Sequence, residues 1–241
     1  MDVTKIKLIA MDLDGTLTQH KEPLDEVNKK ALDELSGKCR LVMVGAGQVM
    51  RIFNQLGRYP IDVIGNYGLQ YGEYSKEDNN IVIKKDLSFP VDRKSVSERI
   101  ELLRQKYGFT EYKGESVEFH PSGCVTFPIL GTKAIQADKL AFDPDRKRRR
   151  KIYDEVKEVF AEYTVFIGGS SSFDMAPRPY DKAYALDLYC KEKGFSRENV
   201  VYIGDDYGEG GNDESVLLSG YNFIKIDNYK DFPNVIGSLL N

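Results

Sequence analysis

Ile6-Lys7-Leu8-Ile9-Ala10-Met11-Asp12-Leu13-Asp14-Gly15-Thr16 decides the fold. The run 6–11 is short, mostly apolar and stops at a glycine turn, which is the pattern of a buried strand. Two carboxylates, Asp12 and Asp14, stand where that strand ends. Downstream, Leu24, Val27, Ala31, Leu32 and Leu35 recur at helical spacing and are closed by Gly37. Residues 41–44 read as a second buried strand ending in Gly45-Ala46-Gly47, and Val49, Ile52, Phe53 and Leu56 mark a helix that stops at Gly57. Strand, helix, strand, helix with glycine-bearing strand ends predicts a parallel α/β sheet.

The middle of the chain reads differently. Residues 69–74 and 81–85 predict a hairpin around Asp78-Asn79-Asn80, followed by a helix with Val96, Ile100 and Leu103 on one face. Residues 116–120 and 124–127 alternate like paired strands across Pro121-Ser122-Gly123. Asp143-Pro144 is a good N-cap and first-turn pair for a helix running to about residue 162. Short strands are expected at 163–168 and 173–175. The α/β pattern then resumes with a helix at 181–191 and a strand at 200–203 running into Gly204-Asp205-Asp206. A last strand and helix follow at 221–226 and 232–240. The expected architecture is an α/β core of residues 1–85 and 178–241, interrupted by an inserted α+β domain at 86–177.

The composition narrows the possible functions. The chain has 241 residues, 41% hydrophobic and 30% charged, enough for a buried core and a solvated surface. A net charge of −4 and a pI near 5.4 make nucleic acid a poor default partner. Cys39, Cys124 and Cys190 lack metal or redox spacing, and an odd, sparse count argues against a disulfide framework. The N-terminus has no apolar signal region, and no run approaches the roughly 18 apolar residues of a membrane span. A cytoplasmic protein with no membrane and no nucleic-acid partner is expected. The basic run 146–151 reads either as an anion patch or as the solvated first turns of a helix, with Asp154, Glu155 and Glu158 placed for helical ion pairs. Tyr67, Tyr71 and Tyr74 suit hairpin packing. His20 and His120 have no second zinc-type ligand at metal spacing.

Parallel α/β sheets bind ligands at the carboxyl ends of their strands. Asp12 and Asp14 lie at one such end, Gly45 and Gly47 at a second, and Asp205-Asp206 with Asn212-Asp213 at another, while Lys182 opens the helix that re-enters the core. These types suit phosphoryl transfer. A carboxylate nucleophile approaching a dianionic phosphate needs its charge repulsion removed, and Mg²⁺ held by Asp12, Asp14 through its backbone carbonyl, and Asp205 would do that. Lys182 would neutralise more charge. Asp12 is the expected nucleophile, through an aspartyl-phosphate, and Asp14 the acid/base partner. Gly15 and Thr16 are expected to turn their N–H groups toward the phosphate.

Asp12-Leu13-Asp14-Gly15-Thr16 resembles the first motif of the haloacid-dehalogenase (HAD) superfamily. The likeness extends over nearly the whole chain to its phosphomannomutases, a capped, Cof-like subclass. It is carried by Asp12–Thr18, Val117-Glu118-Phe119, Pro128-Ile129, Ile167–Asp174, Asp181-Lys182, and Gly204-Asp205 with Gly210-Gly211-Asn212-Asp213. The resemblance implies a Rossmann-like HAD core with a parallel sheet and an inserted α+β cap of type C2B, with Mg²⁺ as cofactor and a phosphorylated sugar as substrate. Ser172, Asp174, Asn212 and His120 become candidate substrate contacts. A homodimer is a further expectation by analogy.

The departures lie at cationic positions. The resembled mutases hold the far phosphate with several arginines. Here Lys21, His120 and Thr132 stand at such positions, Lys139 is aligned with a further one, and Gly47 replaces the hydroxyl of the second motif. Lys133, Lys139 and Arg178 remain as candidate cations. Lysine is not equivalent to arginine in bidentate phosphate recognition. A mutase needs two strong phosphate sites and a phosphatase one. The order of expectation is therefore a Mg²⁺-dependent phosphatase of a sugar-type phosphomonoester, then a phosphomannomutase, then a noncatalytic sugar-phosphate binding protein on the same fold.

Overall fold

A computed structural model describes residues 2–240 of the chain. The chain opens with β1 (Leu8–Met11), α1 (Glu26–Ser36), β2 (Arg40–Val44), α2 (Val49–Gln55) and β3 (Asp62–Gly65), then turns back through β4 (Gln70–Ser75) and β5 (Asn80–Asp86). A second set follows: α3 (Arg93–Tyr107), β6 (Glu118–Phe119), β7 (Val125–Pro128), α4 (Gln136–Phe142), α5 (Lys147–Arg150), α6 (Tyr153–Val159), β8 (Tyr163–Phe166) and β9 (Ser172–Pro177). The first set resumes with α7 (Lys182–Lys193), β10 (Val200–Gly204), α8 (Glu214–Leu218), β11 (Asn222–Lys225) and α9 (Phe232–Leu240).

These elements form two compact units. The first comprises Met1–Asp86, Asp181–Gly208 and Asp213–Asn241, and the second Leu87–Tyr180 with Glu209–Asn212. Residues 209–212 join the second unit through bonds from the Ile167 N–H to the Gly210 carbonyl (2.7 Å) and from Arg150 Nε to the Glu209 carbonyl (3.5 Å).

The first unit carries a seven-stranded sheet in the order β11-β10-β1-β2-β3-β4-β5. β11, β10, β1, β2 and β3 pair in parallel, and β4 and β5 add as an antiparallel edge. β1 is central and buried at every residue, which is why it reads as a continuous apolar run without alternation. Helix α1 buries Ala31, Leu32 and Leu35, behind an Asp25 N-cap that accepts from the Asn28 N–H.

The second unit has a four-stranded antiparallel sheet, β6-β7-β9-β8. One face buries Val125, Phe127, Val165, Phe173 and Met175 with Val96, Ile100 and Leu103 of α3 and Val156 of α6. The period of two then places Thr126, Ser172 and Asp174 on the opposite face.

One expected helix is broken. Residues 143–162 do not form a continuous helix behind an Asp143 N-cap. Asp143 instead ends α4, a helix not anticipated from the sequence, and Arg146 takes a left-handed φ of 58° before the single turn α5. The reason is tertiary. The Asp143 carboxylate accepts from the backbone N–H groups of Arg148 and Arg149 and pairs with the Arg149 side chain at 2.9 Å. Arg149 is buried and also donates to the carbonyls of Gly168, Gly169 and Ser172. The basic run is thus neither a free anion patch nor wholly a solvated face. Its fourth residue holds the second unit together.

Candidate active site

The central strand order brings the ends of β1 and β10 side by side, because Met11 pairs with Ile203. Asp12 and Asp205 follow those residues, and the start of α7 adds Lys182. Asp12 is 6% exposed and Lys182 fully buried. Lys182 Nζ lies 2.7 Å from Asp12 Oδ1 and 2.7 Å from Asp213 Oδ1. Asp181 caps α7 by accepting from the Tyr184 N–H, which fixes where Lys182 leaves the helix.

Asp12, Asp205 and Asp213 each place a carboxylate oxygen within 4.8 Å of the others. Three carboxylates around one ammonium leave an excess of negative charge. Burial pushes Asp12 well up, against the Lys182 ammonium, and Asp213 and Asp205 push it the same way. Burial and then Asp213 push Asp205 up to about 6. Burial opposes the Lys182 ammonium, but its two carboxylate partners outweigh that and hold it above its ordinary value. An all-oxygen donor set with surplus negative charge fits a hard divalent cation.

Asp213 closes the quoted Gly-Gly-Asn-Asp motif, and reasoning from the sequence put it at this strand end without giving it a role. Its Oδ1 accepts from Lys182 and from the Tyr202 hydroxyl, and its Oδ2 from the Asp206 N–H. It therefore orients Lys182 and pins the turn that carries Asp205.

The 12–18 loop is built around Asp205. Gly15 has φ +100°, and a Cβ there would lie 2.4 Å from Asp205 Oδ2, so only glycine fits. Thr16 is fully buried and donates its hydroxyl to Asp205 Oδ1 at 2.8 Å. The Gly15 N–H donates to the Thr18 carbonyl at 2.8 Å. These two residues thus shape the loop and hold Asp205, and the Gly15 N–H is not turned outward as the sequence suggested.

The Asp14 carboxylate bonds to α2 and the Lys21 backbone and is not one of the three clustered carboxylates. Oδ1 accepts from Gln55 Nε2 (2.7 Å) and from the Lys21 N–H (2.7 Å), and Oδ2 lies 3.4 Å from Arg51 Nη2. Burial raises its pKa, but these partners more than offset that and hold it below the usual range. Lys21 enters through its backbone N–H, at φ 62°, while its side chain is exposed. Arg51 and Gln55 were missed, though they follow Gly47 at successive spacings of four, on one face of α2. Gly45 is buried at the end of β2, with its N–H on the Ile64 carbonyl, and the Gly47 carbonyl accepts from the Asn66 N–H.

In the second unit the structure gathers some candidates and separates others. Thr126 and Asp174 are register partners, the Thr126 hydroxyl donates to Asp174 Oδ1 at 2.9 Å, and His120 Nε2 is 3.1 Å from that hydroxyl. Burial raises the Asp174 carboxyl. Ser172 shares the face and donates to the Gly168 carbonyl. Arg178 lies four residues beyond Asp174, roughly 13 Å along an extended strand, and donates Nε to the Tyr163 carbonyl. Lys139 Nζ reaches the Thr132 carbonyl at 3.4 Å. Asn212 is half-buried in the same unit, one residue before Asp213.

The model of the eukaryotic phosphomannomutase family matches residues 28–222. A Saccharomyces cerevisiae phosphomannomutase is 27% identical over 222 residues, covering 88% of this chain and 85% of that protein. The phosphomannomutase of Spinacia oleracea is 29% identical, covering 89% and 88%. Among solved structures, a Plasmodium falciparum IMP-nucleotidase superposes with a TM-score of 0.67 at 16% identity, over 98% of this chain and 68% of that one. A haloacid-dehalogenase-like hydrolase from B. subtilis does so with a TM-score of 0.61 at 18% identity, over 95% and 92%. These two share the fold, a Rossmann-like core with a cap unit. Among the described residues no helix is long and apolar enough to cross a membrane. With a family model that spans most of the chain, the chain belongs to the eukaryotic phosphomannomutase family and is a phosphotransferase of the haloacid-dehalogenase superfamily.

Proposed function

We propose that this protein is a Mg²⁺-dependent phosphatase that hydrolyses a phosphorylated sugar or similar small phosphomonoester through Asp12. The buried Asp12–Lys182 pair supports the first half-reaction. Lys182 fixes Oδ1 of Asp12 and so orients the carboxylate for attack on phosphorus. The new Asp12–phosphorus bond forms as the bond to the sugar oxygen breaks, and that oxygen takes a proton from Asp14, whose carboxyl must first leave the Gln55, Lys21 and Arg51 partners that hold it ionised. In the second half-reaction Asp14 takes a proton from water as the water oxygen attacks phosphorus, and the acyl phosphate bond breaks to free Asp12. Asp12, Asp205 and the Asp14 backbone carbonyl would hold Mg²⁺, which when bound neutralises charge on the phosphoryl oxygens.

The observation that favours hydrolysis is the engagement of three of the cap unit's guanidinium groups in structural bonds. Arg104 donates to the carbonyls of Phe109, Ser116, Pro128 and Ile129 from full burial. Arg149 is bound as described, and Arg99 pairs with Glu162 at 2.5 Å. The polar face of the cap sheet presents Thr126, Asp174, Ser172 and His120, which suit sugar hydroxyls better than a second dianionic phosphate. The family match favours a second reading, isomerisation of a hexose 1-phosphate and 6-phosphate, with Arg178, Lys133 and Lys139 as candidate cations of the cap.

A Mg²⁺ assay on mannose and glucose 1- and 6-phosphates, with and without a hexose bisphosphate primer, separates the two. Phosphate release without 1/6 exchange is the expected result. Primer-stimulated exchange with little release would replace the phosphatase with the mutase.

A further inference from the structure

Position 47 follows the end of β2, where the resembled family has a phosphate-binding hydroxyl and this chain has glycine. The backbone does not demand that glycine, because Gly47 is not among the residues with positive φ. The space does. A Cβ built on Gly47 would lie 2.2 Å from Arg51 Nη2, 2.3 Å from Nε and 2.6 Å from Cζ. The guanidinium of Arg51 therefore occupies the volume into which any side chain at 47 would project. Arg51 is one helical turn further along α2, and helical side chains lean back toward the N-terminus, which carries the group there.

The other contacts of Arg51 leave it exchangeable. Nη1 is 2.7 Å from Gln55 Oε1, a neutral partner. Its approaches to Asp14 Oδ2 are long, 3.5 Å from Nη1 and 3.4 Å from Nη2, against the roughly 2.7–2.9 Å of a charge-assisted bond. The side chain is 44% exposed, so an incoming anion can reach it. A guanidinium offers a planar fork of donors matched to two oxygens of a phosphate, where a hydroxyl offers one donor.

We infer that Arg51 is a phosphate-binding residue that takes the place of the hydroxyl absent at position 47, moving from Asp14 to the substrate phosphate when that phosphate binds. The inference rests on the reading of the Asp12 centre as a phosphate site. A side chain at 47 and the guanidinium of Arg51 then compete for one space.

Calorimetric titration with inorganic phosphate in the presence of Mg²⁺ tests this without turnover. Arg51→Ala is expected to weaken phosphate binding, and to raise KM, by roughly 10–100-fold, the value of one or two charge-assisted bonds. Arg51→Lys recovers part of the loss. Gly47→Ser displaces the guanidinium and weakens binding, whereas Gly47→Ser with Arg51→Ala binds better than Arg51→Ala alone because the hydroxyl regains its space. Unchanged phosphate affinity in Arg51→Ala, with a fall in kcat alone, would overturn the inference and leave Arg51 as a positioning residue for Asp14. No measurable phosphate binding by the parent would also overturn it. Loss of turnover in Asp12→Asn beside unchanged phosphate affinity in Arg51→Ala would sink this inference and leave the phosphatase reading standing. Arg51-dependent phosphate binding without hydrolysis of any phosphomonoester would do the reverse.

Discussion

In the core unit three carboxylates, Asp12, Asp205 and Asp213, share one buried ammonium. In the cap unit one of two buried guanidinium groups, Arg149, meets one carboxylate, Asp143, and three carbonyls complete its bonding. Both arrangements bury charge, which is costly unless the charge is paired and hydrogen-bonded. The cap site is balanced, and its removal should cost stability. The core site is left with surplus negative charge, and that strain is useful only if a cation and a phosphate arrive to use it. The other buried cap guanidinium, Arg104, is met by four carbonyls and no carboxylate, so what sets the core site apart is its surplus of carboxylates.

Four substitutions or conditions break or sharpen this contrast. The largest effect is expected at the imbalance. Asp12→Asn should lower Mg²⁺-dependent phosphate release by ~10³-fold or more, since it removes the nucleophile. The same change should raise the melting temperature, because one of three mutually repelling carboxylates is gone. Turnover equal to the parent's would remove Asp12 from the mechanism.

Next comes the balanced site. Arg149→Met leaves Asp143 buried without its partner and should cost about 3–5 kcal/mol in urea unfolding, the usual loss when one member of a buried pair is removed. A change under half a kcal/mol would mean that the guanidinium carries no structural role.

A smaller effect follows from cation binding. Millimolar Mg²⁺ should stabilise the parent by about 1–3 kcal/mol, seen as a rise in melting temperature, if the concentration exceeds Kd by ten- to a hundredfold. Asp205→Asn should abolish that shift. An equal shift in both chains would place the cation elsewhere.

The smallest is a pH effect in the cap. Burial raises the Asp143 carboxyl, but Arg149 and two backbone N–H groups outweigh it and hold the folded-state pKa below its ordinary value. A depressed folded-state pKa stabilises above the unfolded pKa, and that contribution is lost as pH falls through the folded one. Melting temperature should therefore fall on going from pH 5 toward roughly pH 3, and less steeply in an Asp143→Asn chain.

Much of this contrast was legible in the sequence. The apolar run into Asp12 gave the central strand because β1 is buried on both faces and needs no alternation. Lys182 and Asp205 were found because strand ends and helix starts leave local signals. Arg149 was not found as a structural residue. Local pattern favoured one long helix from Asp143, and only tertiary bonds to Gly168, Gly169 and Ser172 explain why the chain breaks there instead. The attachment of Asp14 to Gln55 and Arg51 was hidden for a similar reason, since it joins residues 37 and 41 positions apart. Thr126 shows the same limit. Alternation puts it on the polar face, but its partnership with Asp174 depends on a cross-strand register that no local signal sets.

The central claim is that Asp12 becomes phosphorylated during turnover. The direct measurement is to mix the protein with Mg²⁺ and glucose 6-phosphate or mannose 1-phosphate, quench, reduce with borohydride and sequence the peptides by mass spectrometry. An aspartyl-phosphate is reduced to homoserine, so the account predicts homoserine at position 12, dependent on substrate and absent in Asp12→Asn. Homoserine at another carboxylate, or none anywhere while phosphate is being released, would contradict it.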